Sequence, residues 1–366
     1  MVDSSFEAAL KQRLDEARSR YEAGNFDDLR SPAPVSKRFQ RLAADVVSLL
    51  LNSLPIVPRC DGRDTSDLFA TIEKDKDKWQ QAYELLADNY SRRLFVDLQA
   101  YRILGARHVK LPTNNAGYWK KRRLLKKYYR GKTHLPGPGM GTFVIPIDGE
   151  SVRISCHALH VLNTFILEQY SCARLSPKAC VQKGDVVIDG GGCWGDSAVY
   201  FAVKAGEFGR IYSFEFDEAN VSLFRTNLAA NPNLAGRIQI VSRGLWSASG
   251  ERITWASNGP SSHLNEKGTG PLTSTISIDN FVEEAGLDRL NFIKLDIEGA
   301  EYPTLVGAEI SLRRFTPKLA ISVYHAPEDL HRIVSHLNDL QLGYVFALDH
   351  FTIHGEETVL FAVVPK

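Results

Sequence analysis

The sequence predicts an α/β protein whose C-terminal half is a mainly parallel sheet with helices on both faces, preceded by a mainly helical N-terminal domain and a β-hairpin connector. Three observations predict it. From Lys183 onward short apolar runs alternate with helical segments, the first of those runs ends in a cluster of glycines, and the first third of the chain instead spaces its apolar residues by three and four. The expected boundaries are residues 1–135 for the helical domain, 136–180 for the hairpin and helix connector, and 181–366 for the sheet domain.

Taken in order, Phe6, Leu10 and Leu14 among charges predict a surface helix over residues 5–23, stopped at Gly24-Asn25. A second helix is expected over 35–54. Trp79, Tyr83, Leu86, Tyr90, Leu94 and Leu98 share one helical stripe and predict a single helix over 76–104. Alternation over 142–155 around Asp148-Gly149 is a tight-hairpin signature, because the two turn residues must both take positive φ. An amphipathic helix follows over 158–172, and strands are expected at 186–188, 211–214, 238–241, 292–295 and 319–323.

Composition narrows the function. Lys plus Arg number 44 against 43 Asp plus Glu, so overall charge gives no reason to expect a nucleic-acid partner. The N-terminus lacks a basic region followed by an apolar run, and the apolar stretch near 46–51 is far short of the ~20 residues that span a bilayer. A cytoplasmic protein is expected. The cysteines Cys60, Cys156, Cys172, Cys180 and Cys193 form no CxxC pair and are odd in number, which speaks against a zinc site and a disulfide framework.

The first chemical motif closes the first strand: Asp189-Gly190-Gly191-Gly192-Cys193-Trp194-Gly195-Asp196. Gly190, Gly192 and Gly195 satisfy GxGxxG, which suits a nucleotide-binding turn because side chains there would block the ligand. Asp189 ahead of the glycines suits a cationic amino-acid cofactor better than a pyrophosphate, which it would repel. Glu215, at the end of the second strand, stands where an acid accepts both ribose hydroxyls of an adenosine, and it would serve a nicotinamide dinucleotide equally. After the fourth strand, Leu295-Asp296-Ile297-Glu298-Gly299-Ala300-Glu301 brings three acids to the same crevice, since ligands of an open α/β sheet bind outside the carboxyl ends of its strands.

With these residues in place, the sequence resembles the FkbM family of methyltransferases over roughly residues 83–366. The resemblance is carried by Glu84-Leu85-Leu86-Ala87-Asp88-Asn89-Tyr90-Ser91, Gln169-Tyr170, the glycine loop and above all the Leu295 to Glu301 string. It implies a class I, Rossmann-like methyltransferase sheet, S-adenosylmethionine as cofactor, and O-methylation, commonly of sugar hydroxyls in natural products and cell-surface glycans. It also implies residue roles. Asp189, Gly190, Gly192 and Gly195 match the methionine-binding loop, Glu215 the ribose acid and Asp296 the acid beside the methyl sulfonium, while Trp246 falls where class I enzymes contact the adenine. Gly191, Trp194 and Asp196 within the loop, with Phe216 and Leu245, complete the expected cofactor contacts. Phe216 departs from the family pattern, standing where proline is common.

Methyl transfer to a hydroxyl needs alignment and the removal of one proton. Candidate bases are Asp296, Glu298, Glu301 and His325, the last at the end of the fifth strand with an unperturbed pKa near 6.5. Glu298 and Glu301 are alternatively anchors of the next helix's N-terminus or ligands of a divalent cation. No NPPY-type string follows the fourth strand, which argues against nitrogen methylation of bases or amides. His263 and Tyr170 are candidate pocket residues, each equally readable as a loop or packing residue. The segment 119–130 sets seven cations among aromatic residues. It reads as a solvated helix face, or as a contact for an anionic glycan or a lipid-linked sugar at a membrane surface, with RNA ranked below these. The expected partner is a sugar or glycan acceptor, free or lipid-linked, and no nucleic acid. Two rivals remain: a nicotinamide-dependent sugar oxidoreductase or epimerase, opposed by Asp189, and a non-catalytic glycan-binding module on the same fold, opposed by the joint presence of Asp189, Glu215 and Asp296.

Overall fold

The computed structural model describes residues 5–20, 24–25, 72–133, 139–256, 263–265 and 270–365. The helix expected over 35–54 lies outside the described residues, as does Cys60.

Strands β1 (Tyr129–Gly131), β2 (Met140–Ile147) and β3 (Glu150–His157) form a small antiparallel sheet. Its hairpin turn is the expected one, with Asp148 at φ 48° and Gly149 at φ 84°. The main sheet has seven strands: β4 (Val186–Gly190), β5 (Arg210–Phe214), β6 (Ile238–Val241), β11 (Phe292–Leu295), β12 (Lys318–Ser322), β13 (Val345–His350) and β14 (Thr358–Val363). Their order is β13-β14-β12-β11-β4-β5-β6, parallel throughout except that β14 runs against both its neighbours. Strands β7 (Gly244–Leu245), β8 (Arg252–Ala256), β9 (His263–Asn265) and β10 (Leu272–Ile276) make a four-stranded side sheet in the order β7-β10-β8-β9.

Consecutive residues of a strand point to opposite faces, and here both faces are covered, so the strands read as unbroken apolar runs. Val187, Phe292, Ala320 and Phe361 pack with the helix Asp196–Ala205 and the β2–β3 hairpin. Their neighbours Ile188, Ile293, Ile321 and Leu360 pack on the other face with the N-terminal helices Phe6–Arg18, Lys76–Leu85 and Asn89–Leu104. Each of these Val, Ile, Leu and Phe side chains contributes roughly 1.5–3 kcal/mol by leaving water.

Three helical expectations need correction. The single helix over 76–104 is two helices. Between them Leu86 pairs with Phe346 of β13, and the Ala87 N–H donates to the Phe346 carbonyl at 2.8 Å. Asp88 then starts the second helix by accepting from the Ser91 N–H at 2.7 Å, a capping bond that competes with continuation of the first. The helix expected to run to residue 23 ends at Arg18. In place of a helix over 158–172 there is one turn, Ala158–His160, and then a π-helical stretch, Val161–Ile166, closed by the Leu167 N–H on the Leu162 carbonyl. Cys156, Cys172, Cys180 and Cys193 are free thiols. No helix among the described residues is long and apolar enough to cross a membrane.

Candidate active site

Strand register assembles the base of the site. Ser213 of β5, Asp189 of β4 and Lys294 of β11 sit side by side in one buried row. The Lys294 ammonium lies 3.2 Å from Asp189 Oδ1 and donates to the carbonyls of Gly190 (2.8 Å) and Gly191 (2.7 Å). Burial disfavours the charge on Lys294, but Asp189 and Asp296 outweigh it and hold the pKa above the usual lysine value. Asp189 also accepts from Ser197 Oγ at 2.9 Å and Ser213 Oγ at 2.7 Å. With no exposed surface and three donors, its carboxylate points under the glycine loop and not into the cleft. It acts on the loop through Lys294.

Above that row the chain turns. Gly191 takes φ 79°, and a Cβ there would lie 2.0 Å from the Asp296 carbonyl; at Gly195, φ 83°, it would lie 2.2 Å from the Phe224 ring. The Gly192 N–H donates to the Phe214 carbonyl, tying loop to β5. Trp194 donates to Asn220 Oδ1 and lies 4.9 Å from the His160 ring. Asp196 opens the next helix, accepts from Thr164 Oγ1 at 3.0 Å and meets His160 Nδ1 at 3.2 Å. Burial pushes the Asp196 pKa up, but His160 and Thr164 bring it below the usual carboxylate value.

Gly191, Phe214, Glu215, Phe216, Leu245, Asp296 and Glu298 line one cleft at the carboxyl ends of β4, β5 and β11. Trp246 and Trp194 are not among its walls. The Trp246 backbone N–H pairs with the Ile276 carbonyl of the side sheet, and Phe216 stands edge-on to Trp255 of β8, ring centroids 5.3 Å apart. His263 falls in β9. Glu215 accepts from the Asp217 N–H at 2.8 Å and Asn220 Nδ2 at 3.4 Å, and burial pushes its pKa up to about 7.

The second half of the site is acidic. Tyr170 and Tyr324 donate to the two oxygens of Asp296, at 2.9 and 3.1 Å. Burial raises the Asp296 pKa, but the positive charges of Lys294 and His325 overcome it and keep the group ionised. Glu301, fully buried, accepts from the Ile297 and Gly299 N–H groups at 2.8 and 3.0 Å, which fixes the turn in which Glu298 takes φ 55°. The same Glu301 holds His325 Nδ1 at 2.8 Å, leaving Nε2 3.4 Å from Glu298 and 3.6 Å from Asp296. Burial alone would lower the His325 pKa; Glu301, Glu298 and Asp296 outweigh it and raise the pKa well above 6.5. Donor atoms of Asp296, Glu301 and His325 lie within 4.8 Å of one another. Buried Gln169 donates to the Tyr170 hydroxyl at 3.2 Å and to Glu357 at 2.9 Å.

All four candidate bases therefore meet in one cluster, and the structure adds residues that sequence reasoning missed. Lys294 carried a usable signal, a lone cation in the apolar run Phe292 to Leu295. Tyr324 and Glu357 carried none, since only long-range packing brings them to Asp296 and Gln169.

Residues 183–346 match the family model described as the methyltransferase FkbM domain. Among solved structures the chain is similar to the FkbM methyltransferase of Methylobacillus flagellatus KT, at 19% identity over 98% of this chain and 88% of that one, with a TM-score of 0.55. That likeness shows a shared fold. Aeropyrum pernix fibrillarin with natively bound S-adenosyl-L-methionine aligns at 13% identity over 64% of this chain and 99% of that one, TM-score 0.36. No curated protein matches the chain. The chain is thus an S-adenosylmethionine-dependent methyltransferase whose residues 183–346 match the methyltransferase FkbM domain, on a class I α/β sheet.

Proposed function

We propose that this enzyme O-methylates a sugar hydroxyl of a glycan or glycosylated natural product. The observation that carries the reading is the cluster at the ends of β11 and β12, where Asp296, Glu298 and Glu301 surround His325 and two tyrosines close over Asp296. A polyol offers hydroxyl donors to such carboxylates and apolar ring faces to such tyrosines, whereas an anionic acceptor would be repelled. In this reading Glu301 orients the imidazole, and His325 Nε2 takes the acceptor's proton once it is itself neutral. Labelled methyl transfer to a panel of sugars, glycans and lipid-linked sugars tests it: a methyl ether on a sugar is expected, and labelling confined to an amine or to a sugar-free acceptor overturns it.

S-adenosylmethionine, when bound, supplies the methyl group on a positively charged sulfur. The residues present fit it. The Glu215 carboxylate is buried at the cleft wall and, when ionised, keeps lone pairs for two ribose hydroxyls; Phe216 and Leu245 offer apolar surface beside it that would suit the adenine; and ionised Asp296, on the same cleft, would attract the cofactor's positive end. Because Glu215 must be ionised to accept both hydroxyls and its pKa is raised to about 7, cofactor affinity should climb as pH rises through 7 and then level. Glu215→Gln should weaken binding by about tenfold to a hundredfold, as expected for a lost charge-assisted hydrogen bond of roughly 1.5–3 kcal/mol, and should remove that pH dependence. Affinity of the wild type that is flat from pH 6 to 8 would contradict the assignment.

A second reading gives the cluster a divalent cation, favoured by the closeness of the Asp296, Glu301 and His325 donor atoms. Glu301 already accepts from two N–H groups and His325, so the cation would compete with those bonds. Turnover that collapses on chelation and returns with magnesium would favour this reading.

A further inference from the structure

Between Asp97 and Asp148 the chain has no acidic residue. That stretch of 50 positions holds 11 of the 44 lysines and arginines and none of the 43 acids, in a protein whose net charge is only +1. The asymmetry survives folding. Seven of these cations, Lys120, Lys121 and Arg123 at the end of one short helix, Lys126 and Lys127 in the next, and Arg130 and Lys132 just after, include six from a single run of eleven residues, and all are exposed. Among the described residues none of the seven has a carboxylate within 4 Å. Some exposed cations elsewhere do have one, as in Lys76 with Glu7, Lys78 with Asp75 and Arg18 with Asp15, while others such as Lys11 and Lys183 do not, so what sets this face apart is the density of its cations together with the lack of any acid along the segment.

We propose that this face docks the enzyme on an anionic phospholipid surface. Charge complementarity sets the class of partner. The aromatic residues then choose within it: Tyr118 is buried, Trp119 is half-buried with its N–H given to Asn114, and Tyr128 is half-buried, so nucleobases would find only Tyr129 to stack on. Long cationic side chains standing free on two short helices, with one exposed tyrosine among them, suit a flat layer of headgroups, where attraction needs proximity and no fixed pocket. The docking face is also close to the chemistry. Both helices pack against Val161–Ile166, and the Thr164 of that stretch, with His160 just before it, holds Asp196 beside the glycine loop. A surface engaged by the helices is therefore one element away from the cleft.

Vesicle sedimentation of the full-length protein tests this. It should pellet with phosphatidylcholine vesicles containing phosphatidylserine at low salt, be released at high salt, and ignore vesicles of phosphatidylcholine alone. A variant with Lys120, Lys121, Lys126 and Lys127 all changed to glutamine should lose on the order of a hundredfold or more in vesicle affinity, at about fivefold per cation. The matching lysine-to-arginine variant should keep it. Both should bind S-adenosylhomocysteine as the wild type does, because none of the four side chains lines the cleft. Equal binding to neutral vesicles, a glutamine variant that still pellets, or retention by duplex RNA with no vesicle binding would each overturn the proposal.

Discussion

Replacing Lys294 with methionine is expected to destabilise the protein by about 3–5 kcal/mol, the cost of leaving one member of a buried ion pair without its partner. Asp189 would keep its two serine donors but lose the one positive charge in contact with it among the described residues, and the Gly190 and Gly191 carbonyls would lose their tether. Chemical denaturation reads the first effect, and cofactor titration of the folded fraction reads the second. The double variant Asp189→Asn, Lys294→Met separates them. Its neutral amide still accepts from Ser197 and Ser213, so most of the stability should return, while cofactor affinity stays low because the loop remains untethered. A Lys294→Met protein as stable as the wild type would show that the buried row does not hold the loop.

The second large effect concerns turnover. His325→Gln should leave S-adenosylhomocysteine binding intact and slow methylation by roughly a hundredfold to ten-thousandfold, the usual worth of a positioned base. The pH profile makes the test specific. Three carboxylates raise the His325 pKa well above 6.5, so the imidazole is charged at neutral pH, and the wild-type rate should climb as pH rises past neutrality and frees the base. In the glutamine variant that climb should be absent. Asp296→Asn should behave differently: the amide oxygen still accepts from one tyrosine and the amide nitrogen can donate to the other hydroxyl, but the negative charge is gone, so affinity for cationic S-adenosylmethionine should fall more than affinity for neutral S-adenosylhomocysteine. Equal losses for the two ligands would remove Asp296 from the sulfonium.

Much of this architecture was legible because it is local. Strands β4, β5, β6, β11 and β12 were each expected within about two residues of their observed ends, since apolar runs bounded by turn residues mark buried parallel strands, and Asp148-Gly149 marked its hairpin. The misses share a cause. Leu86 looks like one more residue of a helical stripe, and only β13, some 260 positions away, turns it into a sheet contact. Strands β13 and β14 lay outside the expected set, and the six residues of β14 are all buried, so no alternation advertises it. At the site, the acids and His325 were found individually. What the sequence could not reveal was the pairing: that Asp189 spends its charge on Lys294 and that Glu301 is committed to His325.

Isothermal titration of the purified protein with S-adenosylhomocysteine and, separately, with NAD tests the central claim most directly. The glycine loop, Glu215 and the acidic far wall with Asp296 predict heat from one equivalent of S-adenosylhomocysteine and none from NAD, whose pyrophosphate would face those carboxylates. Heat from NAD with none from S-adenosylhomocysteine would contradict the account.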